Sequence, residues 1–349
     1  MKKFLLLVVL ISLSGAVPFF AEENGAAGEK NQTPESTSSK TPSDFSFSAS
    51  PKVSYKSGMN NEYVFVYDDN NEVQKLSELN WEIKNLIRLG FDFTMSYKAW
   101  DFKADFLFGI KNKNGSMRDS DWMNYTTAYN YIDPSVKTTY SISSLELLGD
   151  IKAEITASYS LKSPYLTFSP YISFDYNYTD YSSFNTEGWH GETDSTGNPP
   201  VSWSSPDAVH YPVGTLGDID YTKESFCFYL GINNYTRFSR FAFSLDIGIS
   251  PFIYVSSLDL HKYPGGAPAS YYLDKMYGFF SAFKINFGGE LFITENSSFY
   301  ISFLGNLQNQ ISGKTLASTN KENWISLSSS FPKCSGEYFE AVFGWRYRF

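Results

Sequence analysis

Three histidines and two cysteines in 349 residues leave little room for several kinds of chemistry. Cys227 and Cys334 are too few for the disulfide framework of a stapled exported domain. No histidine stands near either of them in sequence, as a cysteine nucleophile would need, so both read as unpaired small residues, Cys227 in mid-strand and Cys334 in a later loop. Neither His-x-x-x-His nor Cys-x-x-Cys occurs, which disfavours a zinc site, and no cofactor is expected. Basic residues are outnumbered, 28 Lys and Arg against 37 Asp and Glu, for a formal charge of −9. That balance argues against a nucleic-acid partner and suits a cationic one. Long apolar runs are missing too: past the N-terminus nothing approaches the roughly 18 consecutive apolar residues of a membrane-spanning helix.

What is present begins with an address. Met1-Lys2-Lys3 followed by the apolar run Phe4 to Leu13 reads as a secretory signal over residues 1–21, with cleavage after Ala16 or after Ala21. No cysteine follows the run, so lipoprotein processing is not indicated. Residues 22–44 hold no large apolar side chain and read as a flexible polar leader. From Phe45 to Phe349 the composition is heavily aromatic, with 31 Phe and 26 Tyr in the whole chain.

Over 45–349 apolar and polar residues alternate with period two in segment after segment, the mark of strands with one apolar and one polar face. The second segment sets Leu79, Trp81, Ile83, Ile87, Leu89, Phe91 and Phe93 on one side, and the third sets Phe102, Ala104, Phe106, Phe108 and Ile110 against Asp101, Lys103 and Asp105. The last, Tyr338 to Phe349, faces Phe339, Phe343, Trp345 and Tyr347 one way and Glu340, Arg346 and Arg348 the other. Ten such segments predict an all-β fold, a ten-stranded antiparallel transmembrane β-barrel in the outer membrane, with charges lining its lumen. Short connections near Asp68–Asn71, Tyr97–Trp100, Leu161–Pro164, Arg237–Arg240 and Thr294–Ser297 alternate with long ones near 112–138, 185–217, 259–269 and 310–332. The long ones are the expected extracellular loops.

Two polar stretches fall on that side. Gly115-Ser116-Met117-Arg118-Asp119-Ser120-Asp121-Trp122-Met123-Asn124 reads as a polar loop at a strand end, its two carboxylates one residue apart. Such a pair holds a cation, shares a proton, or works with a positively charged partner, unless it is merely solvated. In Asp259-Leu260-His261 both end residues project from one face of an extended chain, and an aspartate there can orient the imidazole as a general base. A histidine facing a carboxylate across a gap can hold and deprotonate a water, with no serine or cysteine nucleophile. His190 and His210 read as solvated loop residues.

These residues resemble the omptins, a family of aspartate- and histidine-dependent proteases on ten-stranded outer-membrane barrels. The family's Gly-x-Met-x-Asp-x-Asp-Trp-Met pattern stands here as Gly115, Met117, Asp119, Asp121, Trp122 and Met123, and its Asp-x-His pattern as Asp259 and His261. Leu76 to Trp81 also looks like the family's second strand. The resemblance implies an endopeptidase on the cell exterior acting on peptide or protein substrates. Asp119 and His261 would flank the attacking water, Asp259 would orient His261, and Asp121 would support Asp119. Glu62, on the inward parity of Lys52, Ser54 and Lys56, matches a glutamate that holds a basic side chain before the scissile bond.

The chain departs from the family in three places. The second specificity acid, two residues before the Asp-x-His aspartate, is Ser257 here. A lipopolysaccharide-contacting Tyr-x-Glu-x-Arg run is replaced by Tyr176-Asn177-Tyr178-Thr179-Asp180, which points to a different lipid partner in the outer leaflet or to activity without one. Strict alternation past Ile249 would turn Asp259 and His261 to the outside, so the catalytic reading requires a β-bulge between Ser250 and Ser257, where Pro251 interrupts pairing. The alternative function is a non-catalytic barrel serving as adhesin or narrow pore. Composition leaves the oligomeric state open.

Overall fold

The structure, a computed structural model, describes residues 45–67, 71–122, 136–164, 166–191 and 201–349. The signal and leader expected over 1–44, the connection residues 68–70, and Met123 and Asn124 lie outside the described residues.

Ten strands make the wall: β1 (Phe45–Tyr67), β2 (Val73–Tyr97), β3 in two pieces (Trp100–Gly109 and Asn112–Asp121), β4 (Thr139–Tyr159), β5 (Thr167–His190), β6 (Ile219–Phe238), β7 (Phe241–His261), β8 in two pieces (Ser270–Gly278 and Ala282–Phe292), β9 (Ser297–Ser318) and β10 (Ser330–Arg348). Each pairs antiparallel with its neighbours in the chain, and β1 pairs with both β2 and β10, so the sheet closes. Closure leaves no open edge, which lipid would not tolerate. Around the lower half an apolar belt faces outward: Phe47, Val53 and Tyr55 on β1, Phe91 and Phe93 on β2, Phe243, Ile249 and Phe252 on β7, and Phe343 and Trp345 on β10 are all exposed.

Three sequence expectations change. The strands run on above the belt, so Asp119 and Asp121 are strand residues of β3 rather than loop residues, and Asp259 and His261 end β7. Pairing simply continues there, because each added rung satisfies backbone groups that a loop would leave to water. Cys334 likewise sits in β10, buried and free, as is Cys227 in β6. The short connection after Tyr67 belongs to the same end as the long ones, since β1 rises from the belt toward Glu62 and β2 descends from Val73.

The third change concerns β2. Its odd-numbered apolar residues do not share one face: Leu79, Trp81 and Ile83 are buried inside, whereas Ile87, Leu89, Phe91 and Phe93 are exposed outside. Between Lys56 and Gly58 of β1 the register slips by one, with Leu86 opposite Lys56 but Ile83 opposite Gly58. The extra residue is accommodated at Asn85, which takes a φ of 55°. Asn112 Nδ2 donates to the carbonyls of Lys84 and Asn85 at 2.9 and 3.0 Å, supplying partners where the ladder is broken. The slip therefore turns Trp81 into the lumen.

Inside the belt the lumen is filled by ion pairs. Arg88 contacts Asp150 at 2.8 Å and Glu340 at 3.1 Å, and Lys56 meets Asp150 at 3.0 Å, tying β1, β2, β4 and β10 together. Below them a polar chamber of about 400 Å³ is lined by residues such as Lys52, Asp105, Glu154 and Lys284. Arg88→Met would strand the buried Glu340 carboxylate and leave Asp150 with Lys56 alone, so the barrel should lose about 3–5 kcal/mol. Urea unfolding in detergent reads this as a lower midpoint, and an unchanged midpoint would show that the hub adds nothing.

Above the ion pairs Trp81 stacks on Tyr221 with ring centroids 4.8 Å apart and planes at 9°, and Tyr181 stands 5.7 Å from Trp81. With Leu79, Met117, Leu145 and Ile219 these rings form an apolar cluster across the lumen. It is the floor on which the upper groove stands.

Candidate active site

Asp259 and His261 enter the groove through a single irregularity. On β7, Ile249 lies opposite Leu230 of β6 but Phe252 lies opposite Phe228, so one extra residue sits at Ser250-Pro251. Pro251 has no N–H to give the ladder, and Ser250 Oγ donates to the carbonyl of Phe252 at 2.7 Å. Burial changes parity there: Ala242, Gly248 and Ser250 are buried below, then Ile253, Val255, Ser257 and Asp259 above. The bulge required by the sequence is present, and the upper half of β7 presents Ser257, Asp259 and His261 to the lumen.

The opposite wall is set by β1, β2 and β3, where Glu62, Leu79 and Asp119 occupy one rung. Gly115 fits because β2 runs close: a Cβ there would lie 2.5 Å from the carbonyl oxygen of Glu82. Met117 packs into the floor cluster. Both motif residues therefore have structural duties. Asp119 lies half-buried above them, with Ser77 Oγ donating to its Oδ1 at 3.5 Å. Asp121 is one inward step further out, opposite Ser77 and Thr139, and its carbonyl accepts from the Thr138 N–H at 2.9 Å. Trp122 turns to the surface, where Lys75 Nζ sits 3.8 Å from its ring centre.

All these groups stand beyond Tyr55 and Phe252, where the exposed apolar belt ends. Burial pushes the Asp119 carboxyl up to about 7, helped by the charge of Glu62. Burial first, then the Asp274 and Asp119 charges, raise Asp259 to about 8 against the opposing hydrogen bond with Glu62. Glu62 is held well above the usual carboxylate range by burial and then by Asp259. Burial drives His261 down to about 4, so it is a neutral imidazole at neutral pH.

Glu62, Asp259 and Asp274 thus form one hydrogen-bonding group of carboxyls, with Asp119 within its field. His261 sits at the next inward position of β7 and touches Tyr272 edge-on, centroids 5.2 Å apart. It makes no hydrogen bond to Asp259, whose carboxyl is engaged with Glu62 instead. His190 and His210 are not loop residues: His190 ends β5, and His210 lies on the short strand Val209–Tyr211 with its Nε2 2.8 Å from Glu187.

Sequence reasoning missed Asp274. It faces inward in the alternating run Tyr272-Leu273-Asp274-Lys275-Met276 of β8, where Asp274 and Met276 are buried. That parity was readable, but its place opposite Ser257 depends on a register that only the paired strands supply.

Comparison with known proteins agrees with this architecture. The Omptin family model matches residues 41–349. The outer membrane protease OmpT from Escherichia coli shares the fold with a TM-score of 0.73 at 17% identity, over 88% of this chain and 98% of OmpT. The toluene transporter TodX of Pseudomonas putida aligns over 88% of this chain and 91% of its own at 10% identity, but its TM-score of 0.28 carries no argument. No curated protein sequence matches. A family match across the whole barrel, together with the closed ring and its outward apolar belt, means that the chain belongs to the omptin family and resides in the outer membrane with its long-loop end on the cell exterior.

Proposed function

We propose that this omptin is an outer-membrane endopeptidase that hydrolyses peptide bonds with a water held between Asp119 and His261. The observation that carries the reading is the bulge at Ser250-Pro251, which turns Asp259 and His261 into the same groove as Asp119 and Glu62. In the step, neutral His261 takes a proton from the water while Asp119 orients it. The hydroxide adds to the scissile carbonyl, and the proton passes to the departing amine as the C–N bond breaks. Asp121 supports Asp119. Asp259 steadies the imidazolium once its carboxyl is released from Glu62, and Glu62 receives a basic side chain next to the scissile bond. Substrates are peptides or proteins, cationic ones favoured, and outer-membrane lipid surrounds the lower wall. A pore is disfavoured because the Arg88 ion pairs and the Trp81–Tyr221 stack cross the lumen.

Refolded protein should cleave a dibasic peptide, seen by mass spectrometry, and serine- and cysteine-directed reagents should leave the rate unchanged. Absence of cleavage, or loss of it with a serine-directed reagent, would sink the reading.

A further inference from the structure

The position two residues before Asp259 is a serine, which leaves Glu62 as the one acid that the family resemblance implies for the substrate's basic side chain. The fold places another beside it. Ser257 of β7 lies directly opposite Asp274 of β8, and both point inward and are buried, at 2% and 3% exposure. Thr315 of β9 lies opposite Asp274 in turn, and its Oγ1 donates to Asp274 Oδ1 at 2.6 Å, fixing the carboxyl. Glu62, 1% exposed, reaches the same point from β1.

The carboxyls around this point bond to one another and to neutral donors rather than to a cation. Glu62 hydrogen-bonds with the Asp259 and Asp274 carboxyls and with the Trp81 indole, and Asp259 Oδ1 is buried without a hydrogen-bond partner. Among the described residues no Lys or Arg forms an ion pair with Glu62, Asp259 or Asp274. An inward lysine, Lys223 opposite Ser257, sends its Nζ to Asn60 Oδ1 at 2.9 Å and Gln308 Oε1 at 3.5 Å. Cys334, opposite Glu62, is uncharged and takes a hydrogen bond from Gln308. Nor do the described residues hold a metal-binding group of three. Buried carboxyls without a protein cation are costly as charges and share protons until a cation reaches them.

We propose that Asp274 is a specificity-determining residue of this enzyme: it supplies, from the neighbouring strand, the carboxylate absent at Ser257, and with Glu62 binds a guanidinium or ammonium side chain of the substrate. The inference rests on the peptidase reading above. Because Ser257 and Asp274 share a rung, the carboxylate approaches the same space from across one strand spacing, with the oxygen of the serine hydroxyl, beside Tyr221, able to accept from the incoming cation. A planar guanidinium offers donors to two carboxylates at once, so arginine should be preferred to lysine.

The test uses the full-length protein refolded in detergent with lipid. Two peptides differ only in carrying arginine or glutamine before the scissile bond, and kcat/KM is compared. A non-cleavable arginine peptide with a reduced scissile bond is titrated against tryptophan fluorescence, since Trp81 stands beside Glu62. Asp274→Asn should lower the arginine-to-glutamine ratio at least ~30-fold and weaken the arginine peptide's Kd comparably. Ser257→Asp placed in the Asp274→Asn protein should restore most of both, which a general folding defect would not allow. If Asp274→Asn keeps the ratio and the Kd within twofold of wild type, or if Ser257→Asp restores neither, the assignment is overturned. If wild type cleaves neither peptide yet binds the arginine peptide in an Asp274-dependent way, the assignment stands and the peptidase reading falls.

Discussion

Asp119→Asn and His261→Ala should each lower kcat for a dibasic peptide by ~10²–10⁴-fold, the range expected for removing a positioned proton acceptor or its orienting carboxylate. KM should change little, because neither group belongs to the pocket that holds the basic side chain. The double variant should be no worse than about tenfold below the poorer single one, since both residues handle the same water and their losses do not add. Independent losses that multiply in the double variant would mean the two groups serve different steps. Asp119→Asn keeps the size of the side chain and the Ser77 contact, so its barrel should fold as wild type does. Equal rates for wild type and both variants would remove Asp119 and His261 from the reaction.

The second large effect is a displaced pH profile. An ordinary aspartate would be ionised from about pH 4 upward, but burial and the nearby Glu62 hold the Asp119 proton to about 7. kcat/KM in the free enzyme should therefore rise with an acid-side midpoint near pH 7, and His261, already neutral above about 4, should add no limb there. A midpoint near 4 in wild type would refute the electrostatic account. Stability follows with its own sign. Asp119 and Asp259 keep protons that the unfolded chain releases above about 4, so their contribution is present below that pH and lost as pH rises to about 7 and 8. His261 acts oppositely: the unfolded chain takes its proton below about 6.5, and stability is lost as pH falls toward 4.

Period-two alternation made the barrel legible, because a lipid-facing side chain and a lumenal one differ in the simplest possible property. The same rule made the β7 bulge legible as a conflict: Ile249 outward and His261 inward cannot both hold without an inserted residue, and it lies at Ser250-Pro251. On β2 no conflict was visible. Leu79, Trp81, Ile87 and Phe91 are all apolar at one parity, and only the slip at Asn85 separates lumen from lipid. An apolar floor inside a polar lumen defeats hydropathy, since Trp81 and Tyr221 carry the same chemistry as the belt. Asp274 escaped for a different reason. Its motif is not a stretch of chain but a rung shared by two strands, and adjacency across a sheet leaves no trace in one strand's spacing.

The strands do not stop where the lipid does. From Phe252 to Asp259 the β7 wall climbs roughly 15–20 Å past the last belt residue, at about 3.3 Å per residue and the tilt of a barrel strand. The cleft is therefore mounted on a turret rather than sunk at the bilayer surface. A freely diffusing chain can enter from the side, clear of the head groups. If the groove holds substrate as proposed, a segment tethered to the same leaflet by a stalk shorter than that height would pass underneath it.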